Sequence, residues 1–268
     1  MIDLGKKNLL GVNVSAVDYE AAVAKIIDAA ENRYALGVSA LAVHGVMTGA
    51  MDDMHRHRLN ELELIVPDGQ PVRWALNLLH GTALPDRVYG PNLMLKTCAE
   101  AAQKGLGIFL FGGKQALLDD LQSKLFEKFP NLKISGTMPS RFRKITPDEK
   151  LEIIQAIKTS GAAITMVGLG CPRQEVWAYE FKDDLRMPVL AVGAAFNFHA
   201  GQLPQAPIWM QRFGLEWFYR FTKEPTRLWQ RYLVLNPYYL TLVFLQWSKL
   251  RKFDPTSTTP PDHEILYG

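Results

Sequence analysis

Cysteine is scarce. The two present in 268 residues, Cys98 and Cys171, stand far apart without CxxC or metal-ligand spacing. That excludes a disulfide scaffold and a zinc module, and suits a reduced, cytoplasmic setting. Charge of one sign is also lacking: 30 Lys and Arg against 27 Asp and Glu leave a formal net charge of +3, which argues against the whole molecule binding nucleic acid. No segment offers a clean apolar run long enough to span a bilayer, and Met1 to Lys7 lack the apolar core of a secretory signal. Two nucleotide signatures are missing. Gly107 to Lys114 misses a Walker A loop by one residue in its spacing, with Gln115 where Ser or Thr would hold magnesium, and Gly168-x-Gly170 is followed by Arg173 where a dinucleotide fingerprint needs glycine. An ordinary P-loop ATPase and an ordinary NAD enzyme are therefore disfavoured. The acidic pairs Asp52-Asp53, Asp119-Asp120 and Asp183-Asp184 all fall in helical patterns, and His55 and His57 point to different helix faces. No metal site and no cofactor are expected.

What the chain does have is 48% hydrophobic residues, enough for a sizeable core. Strand candidates at 9–14, 36–43, 62–66, 107–111, 132–136, 162–167 and 189–192 alternate with helical patterns. Leu36 to Val43 shows little polar alternation, as expected when helices cover both faces of a sheet. The fold class read from this is α/β, a Rossmann-like, mostly parallel sheet with helices on both faces and a C-terminal helical, membrane-associated appendage. A single helical pattern covers Val46 to Leu59, with its three methionines as core filler, and Thr146-Pro147-Asp148-Glu149 has the form of a capping box. The expected division is a catalytic core over 1–195, an appendage over 196–252 that closes the site and docks on a membrane, and a Pro/Thr-rich disordered tail over 253–268.

The stretch Ile65-Val66-Pro67-Asp68-Gly69-Gln70 carries the first candidate for chemistry. An apolar strand leads into Asp68, and Gly69 allows a turn into the next helix. A carboxylate at the carboxyl end of such a strand is placed to act as a base or to hold a sugar hydroxyl; the same dipeptide also serves as an ordinary turn or helix cap. Three more strand ends carry glycine, at Gly112-Gly113, Gly168-x-Gly170 and Gly193. They would let a diphosphate approach the backbone beside helix N-termini. Cys171 reads as a packing residue, and Gln174 as a cap or a ligand for a sugar hydroxyl or base edge. Five of the six tryptophans follow residue 176, and Trp209 to Tyr232 interleaves aromatics with arginines. Arg220, Arg227 and Arg231 would fall on one stripe and could neutralise a leaving group, or form a basic membrane-facing or solvated surface. The apolar segment 232–247 is interrupted by Asn236-Pro237 and flanked by cations, which suits lying on an anionic membrane surface better than crossing it.

Taken together, Pro67-Asp68-Gly69, Tyr89-Gly90-Pro91, Phe111-Gly112-Gly113, Gly168 to Glu175 and Gly214-Leu-Glu-Trp-Phe-Tyr-Arg220 with Glu224-Pro225 and Arg227 resemble the WecG/TagA/CpsF family of bacterial glycosyltransferases over roughly residues 8 to 250. The resemblance implies transfer of a sugar from a UDP-sugar to a polyprenyl-diphosphate-linked glycan acceptor in surface-polysaccharide synthesis. The transfer would invert the anomeric centre without a metal, and the enzyme would be peripheral on the inner face of the cytoplasmic membrane. It makes Asp68 the base, places Gln174 near the sugar, and sets Arg220, Arg227 and Arg231 on the diphosphate. The remaining candidate substrate contacts are Ser39, His44, Gly69, Tyr89, Asn92, Gly112, Gly113, Gly168, Gly170 and Gln202. One departure stands out: family members commonly show Thr-x-Asn at the end of the second strand, where this chain has Ala40-Leu41-Ala42 beside Ser39 and His44. A plain hexose in place of an acetamido sugar would follow if those groups select the donor. A homo-oligomer is left open. The rival readings are a nicotinamide-dependent oxidoreductase and a non-catalytic membrane-docked scaffold.

Overall fold

A computed structural model describes every residue except Glu224, and every side chain except those of Ile208, Arg212, Arg220, Arg227, Gln230, Arg231 and Tyr232. The chain opens with β1 (Asp3–Leu9), β2 (Val12–Val17), α1 (Tyr19–Asn32) and β3 (Leu36–Leu41), then α2 (Val43–Met51), α3 (Asp53–Asn60) and β4 (Leu64–Pro67). It continues through α4 (Gln70–His80), α5 (Gly90–Lys104), β5 (Gly107–Phe111), α6 (Gln115–Lys128), β6 (Lys133–Met138), α7 (Pro147–Thr159), β7 (Ile164–Val167), α8 (Arg173–Leu185) and β8 (Pro188–Ala191). The C-terminal part holds α9 (Ala195–His199), α10 (Ile208–Arg212), α11 (Glu216–Lys223), α12 (Pro225–Trp229), a π-helical stretch Gln230–Leu235 and α13 (Asn236–Trp247).

Strands β3 to β8 form one sheet in the order β4-β3-β8-β7-β5-β6, every pairing parallel. Alternate residues feed two cores. Phe109, Phe111 and Val167 pack with α4, α7 and α8 on one face, while Ile108, Leu110 and Met166 pack with α1, α5 and α6 on the other. Crossovers that step toward β4 pass over the first face, and those that step toward β6 pass over the second, as a single hand of crossover requires. Between α4 and α5 the chain must therefore change faces. It does so across the carboxyl end of β4: Leu84 packs in the first core, Val88 in the second, and the Val88 amide donates to the Pro67 carbonyl at 2.9 Å. This passage brings Arg87 and Tyr89 over Asp68.

The anchors are local and legible. The Thr146–Glu149 capping box is closed in both directions, Thr146 N to Glu149 Oε2 at 2.9 Å and Glu149 N to Thr146 Oγ1 at 3.3 Å. Trp177 is fully buried and stacks between Phe111 and Phe181, with ring centroids at 4.8 and 4.0 Å. This sandwich fixes α8 against β5 and so sets where Gln174, one turn earlier, stands.

Several expectations need correction. The strand read over 9–14 is a hairpin, because Leu10 and Gly11 both take positive φ, 56° and 88°, and turn β1 onto an antiparallel β2. The single helix read over Val46 to Leu59 is two, since Asp52 leaves the helical conformation and caps α3 by accepting from the His55 amide at 2.9 Å. The segment 253–268 is not loose: its backbone is hydrogen-bonded to α3, α8 and the loop after β6. Helix α13 is not set apart from the core either, because Tyr239, Leu242 and Val243 join the same apolar cluster as β5 and α8. Among the described residues no helix is long and apolar enough to cross a membrane.

Candidate active site

Asp68 follows the last residue of β4, half-buried, with its amide donating to the Leu41 carbonyl of β3 at 3.3 Å. Its Oδ1 accepts from the Gly90 amide, the first of α5, at 2.9 Å. The carboxylate is thus held at a helix N-terminus. Gly90 is needed for this approach, since a Cβ there would lie 3.0 Å from the Ala40 Cβ.

Above Asp68 lies a buried ion pair. Arg87 donates to Glu216 Oε2 at 2.6 Å, Tyr89 donates its hydroxyl to Glu216 Oε1 at 2.8 Å, and the Arg87 guanidinium sits 4.2 Å over the Tyr89 ring. Burial, then the Glu216 carboxylate, pushes the Tyr89 phenol well above its ordinary value, so it remains a donor. Burial alone would weaken the Arg87 charge, but Glu216 and Asp68 more than offset it. Because Glu216 opens α11, this cluster is what ties the C-terminal helices to the strand mouth. Gln70, at the start of α4, donates to Asp86 at 2.9 Å and so holds the loop that carries Arg87.

The floor of the cleft is a polar chain under β3, β7 and β8. Ser39 donates to Glu175 Oε1 at 3.0 Å and Gln174 Nε2 donates to the same oxygen at 2.9 Å. The Gln174 Oε1 accepts from the Gly170 amide at 3.1 Å. Full burial pushes the Glu175 carboxyl above the usual range, against the pull of these hydrogen bonds. Gly112 (φ 115°) and Gly168 bring two turns together: a Cβ on Gly112 would sit 2.9 Å from the Gly168 backbone.

Two cavities share a wall beside Asp68, which lines the first of them. One of about 130 Å³ collects the charged and hydrogen-bonding groups, with His44, Asp68, Gly69, Arg87, Tyr89 and Glu216 among its lining residues. An apolar one of about 500 Å³ runs between α4 and α13, lined by Trp74, Leu78, Leu233, Tyr239, Leu240 and Val243. Val43, Pro71, Gly214, Trp217 and Asn236 belong to both. Gly214 is required at this junction, with φ +70° and room so tight that a Cβ would come 2.9 Å from the Trp74 ring.

The structure thus gathers Asp68, Gly69, His44 and Tyr89 in one pocket, and Gly112, Gly113, Gly168 and Gly170 on the neighbouring turns. Ser39 does not reach the cleft surface; it is fully buried and supports Gln174 through Glu175. Gln174 is itself 4% exposed, with both ends of its amide bonded inward. Asn92 is exposed on α5 and bonds Tyr19. Gln202 is exposed, donates to Asp120 of α6 at 3.1 Å and lines neither cavity. The side chains of Arg220, Arg227 and Arg231 lie outside the described residues. Sequence reasoning missed Arg87 and Glu216; the one available signal was an acid, Glu216, set among arginines and aromatics. No three His, Cys, Asp or Glu side chains come together as a metal site would need, among the described residues.

Comparison with known proteins agrees with this architecture. The family model described as "Glycosyl transferase WecG/TagA/CpsF family" matches residues 7–253. A curated relative from Bacillus subtilis (strain 168), an N-acetylglucosaminyldiphosphoundecaprenol N-acetyl-beta-D-mannosaminyltransferase, is 29% identical over 186 residues, 69% of this chain and 70% of the relative. With a parallel sheet of this architecture and a family match over residues 7–253, this chain belongs to the WecG/TagA/CpsF family and is a glycosyltransferase.

Proposed function

We propose that the protein transfers a hexose or N-acetylhexosamine from a UDP-sugar to a polyprenyl-diphosphate-linked saccharide of the GlcNAc-diphosphoundecaprenol type, with inversion and without a metal. The observation that carries this reading is the adjacency of the two cavities: the pocket that holds Asp68, Arg87 and Glu216 shares Val43, Pro71, Gly214, Trp217 and Asn236 with an apolar groove. An acceptor with a sugar at one end and an isoprenoid chain at the other needs both surfaces side by side. The relative's name specifies such an acceptor.

In this reaction Asp68 takes the proton of the acceptor hydroxyl. The freed oxygen pair bonds the anomeric carbon from the face opposite UDP, and the bond to UDP breaks with its electrons on the departing phosphate. Arginines of the C-terminal helices, Arg220 and Arg227 with Arg231, and backbone amides of the glycine turns would receive that charge. The exposed side chains Phe244 and Trp247, three apart on α13, suit the interfacial layer of an anionic membrane, which supports a peripheral position on the inner face of the cytoplasmic membrane, where UDP-sugars are made.

The experiment is UDP release by purified protein from a panel of UDP-sugars, with GlcNAc-diphosphoundecaprenol and EDTA present, for the wild type and Asp68→Asn. Acceptor-dependent release that survives EDTA and collapses in the variant is expected, and the donor that works names the sugar. Release that persists in Asp68→Asn would remove Asp68 as base.

A further inference from the structure

The family match ends at Phe253, yet the residues after it run as a strap along the first face of the sheet. Asn60 Nδ2 donates to the Pro255 carbonyl at 3.0 Å, Arg56 donates to the Ser257 carbonyl, and His57 Nδ1 meets Thr258 Oγ1 at 3.2 Å. Farther on, Lys150 bonds Glu264 at 2.6 Å, and the Glu180 carboxylate accepts the Ile265 and Leu266 amides at 2.6 and 3.0 Å. Leu266 is 8% exposed and seats in the core beside Ile145, whose amide donates to the Leu266 carbonyl at 2.8 Å. The strap ends at the mouth of β5, β6 and β7: Tyr267 bridges Lys144, Gly268 N donates to the Arg143 carbonyl at 3.1 Å, and Ser140 Oγ donates to the Gly268 carbonyl at 2.6 Å.

A cavity of about 130 Å³ lies there, lined by Gly113, Gly168, Lys144, Arg173, Tyr267 and Gly268 among others. Its make-up fits one chemistry. Glycine turns at the carboxyl ends of parallel strands admit a ligand close to the backbone. Lys144 and Arg173 have no carboxylate at ion-pair distance among the described residues, whereas Arg143 beside them is paired with Glu149 at 2.6 Å. Tyr267 contributes an aromatic ring. Two uncompensated cations, exposed backbone and a ring match an anion carrying a flat base. We propose that the strap is a built part of the donor subsite, with Tyr267 and Gly268 walling the cavity that takes the nucleoside-diphosphate half of the donor and Lys144 and Arg173 compensating its diphosphate. This rests on the reading of the chain as a UDP-sugar-dependent transferase.

The test measures UDP binding calorimetrically to the full chain, to Tyr267→Ala and to Leu266→Asp, with KM for donor and for lipid-linked acceptor alongside. Tyr267→Ala should weaken UDP about fivefold or more, the lower end of what an aromatic ring contributes against a base. Leu266→Asp puts a charge into the strap's apolar seat and frees its end; it should weaken UDP at least as much, with hydrogen exchange at the Ile265 amide reporting the release. Donor KM should rise in both variants while acceptor KM stays put. Wild type that binds UDP alongside two variants that bind it equally well overturns the strap's role and leaves the transferase reading intact. Tighter UDP binding by the variants also overturns it, since the strap would then be a competitor for the cavity. Wild type that binds no UDP removes the donor reading and this inference together.

Discussion

At the β4 end of the cleft the protein compensates its own charges: Arg87 is paired with Glu216, Tyr89 donates to the same carboxylate, and Asp68 accepts a helix amide. What remains open beside them is apolar, the groove between Trp74, Leu78 and Leu240. At the β5–β7 end the arrangement is reversed. Lys144 and Arg173 line a cavity with glycine turns and without an acidic partner among the described residues. Interior compensation suits a partner that is mostly hydrocarbon, because an uncompensated charge would have to be desolvated against it. Uncompensated cations suit a partner that brings its own negative charge. The two ends of one sheet edge therefore differ in what they leave for a ligand to supply.

The sharpest way to break that comparison is to change the carboxylate at the β4 end. Asp68→Asn keeps an oxygen for the Gly90 amide but cannot take a proton. Loss of general-base catalysis should lower kcat by about 10²–10⁴-fold, while UDP affinity and melting temperature stay close to wild type. Equal losses in kcat and UDP affinity would mean that Asp68 serves binding at the far end too.

How far the chain itself discloses this arrangement depends on the range of the interaction. The parallel sheet is legible because strands covered on both faces lose polar alternation, as Leu36 to Leu41 does. Asp68 and its glycine turn are legible because the whole signal lies in six adjacent residues. The Arg87–Glu216 pair spans 129 residues, and although Glu216 stands out as an acid among arginines and aromatics, nothing local says that Arg87 is its partner. The hairpin at Leu10 was hidden because Leu rarely takes positive φ. The strap was read as disordered from its Pro and Thr content, yet its Pro255, Ser257, Ile265, Leu266 and Gly268 bonds use main-chain atoms, which any sequence would offer. Ser39 failed as a ligand because a strand position alone does not say whether the cleft or the core lies beyond it.

Removing the compensation at the β4 end comes next in size. Glu216→Gln leaves Arg87 buried without its counter-charge, and breaking such a pair costs about 3–5 kcal/mol. Urea unfolding should show the loss, and transfer should fall with it as α11 loses its tie to the strand mouth. Replacing both members, as Arg87→Met with Glu216→Leu, should recover most of the stability because no orphaned charge remains. If transfer recovers as well, the pair is a structural fastening only; if it does not, its geometry positions the C-terminal helices for the reaction.

A comparison of the two ends by pH profile needs a titration removed that belongs to neither. His55 of α3 is 3% exposed, with Nε2 lacking a hydrogen-bond partner among the described residues. Burial lowers its pKa from 6.5 to about 4, against the Asp52 carboxylate and with help from Arg58. The folded state stays neutral where the unfolded chain takes a proton, so stability is intact above pH 6.5 and falls as pH drops toward 4, by up to about 3 kcal/mol. His55→Gln should flatten that acid slope in urea unfolding between those pH values, while the unfolding midpoint at pH 7 moves little. An unchanged slope would assign the acid loss elsewhere.

The smallest effect probes the apolar end directly. Leu240 lines the groove and is 61% exposed, so Leu240→Lys should fold normally. Losing one apolar contact with an isoprenoid chain is worth about 1.5 kcal/mol, or about tenfold in KM. The rise should appear with an undecaprenyl acceptor and vanish with a short-chain analogue that does not reach the groove. UDP affinity should be untouched, because its cavity is at the other end. If both acceptors suffer equally, Leu240 acts on the C-terminal helices as a whole, and the groove is no longer a separate subsite. A loss confined to assays on vesicles, absent in detergent, would move Leu240 from the acceptor's path to the membrane-facing side of α13. The chain-length dependence is what separates a groove that holds lipid from a helix that lies on it.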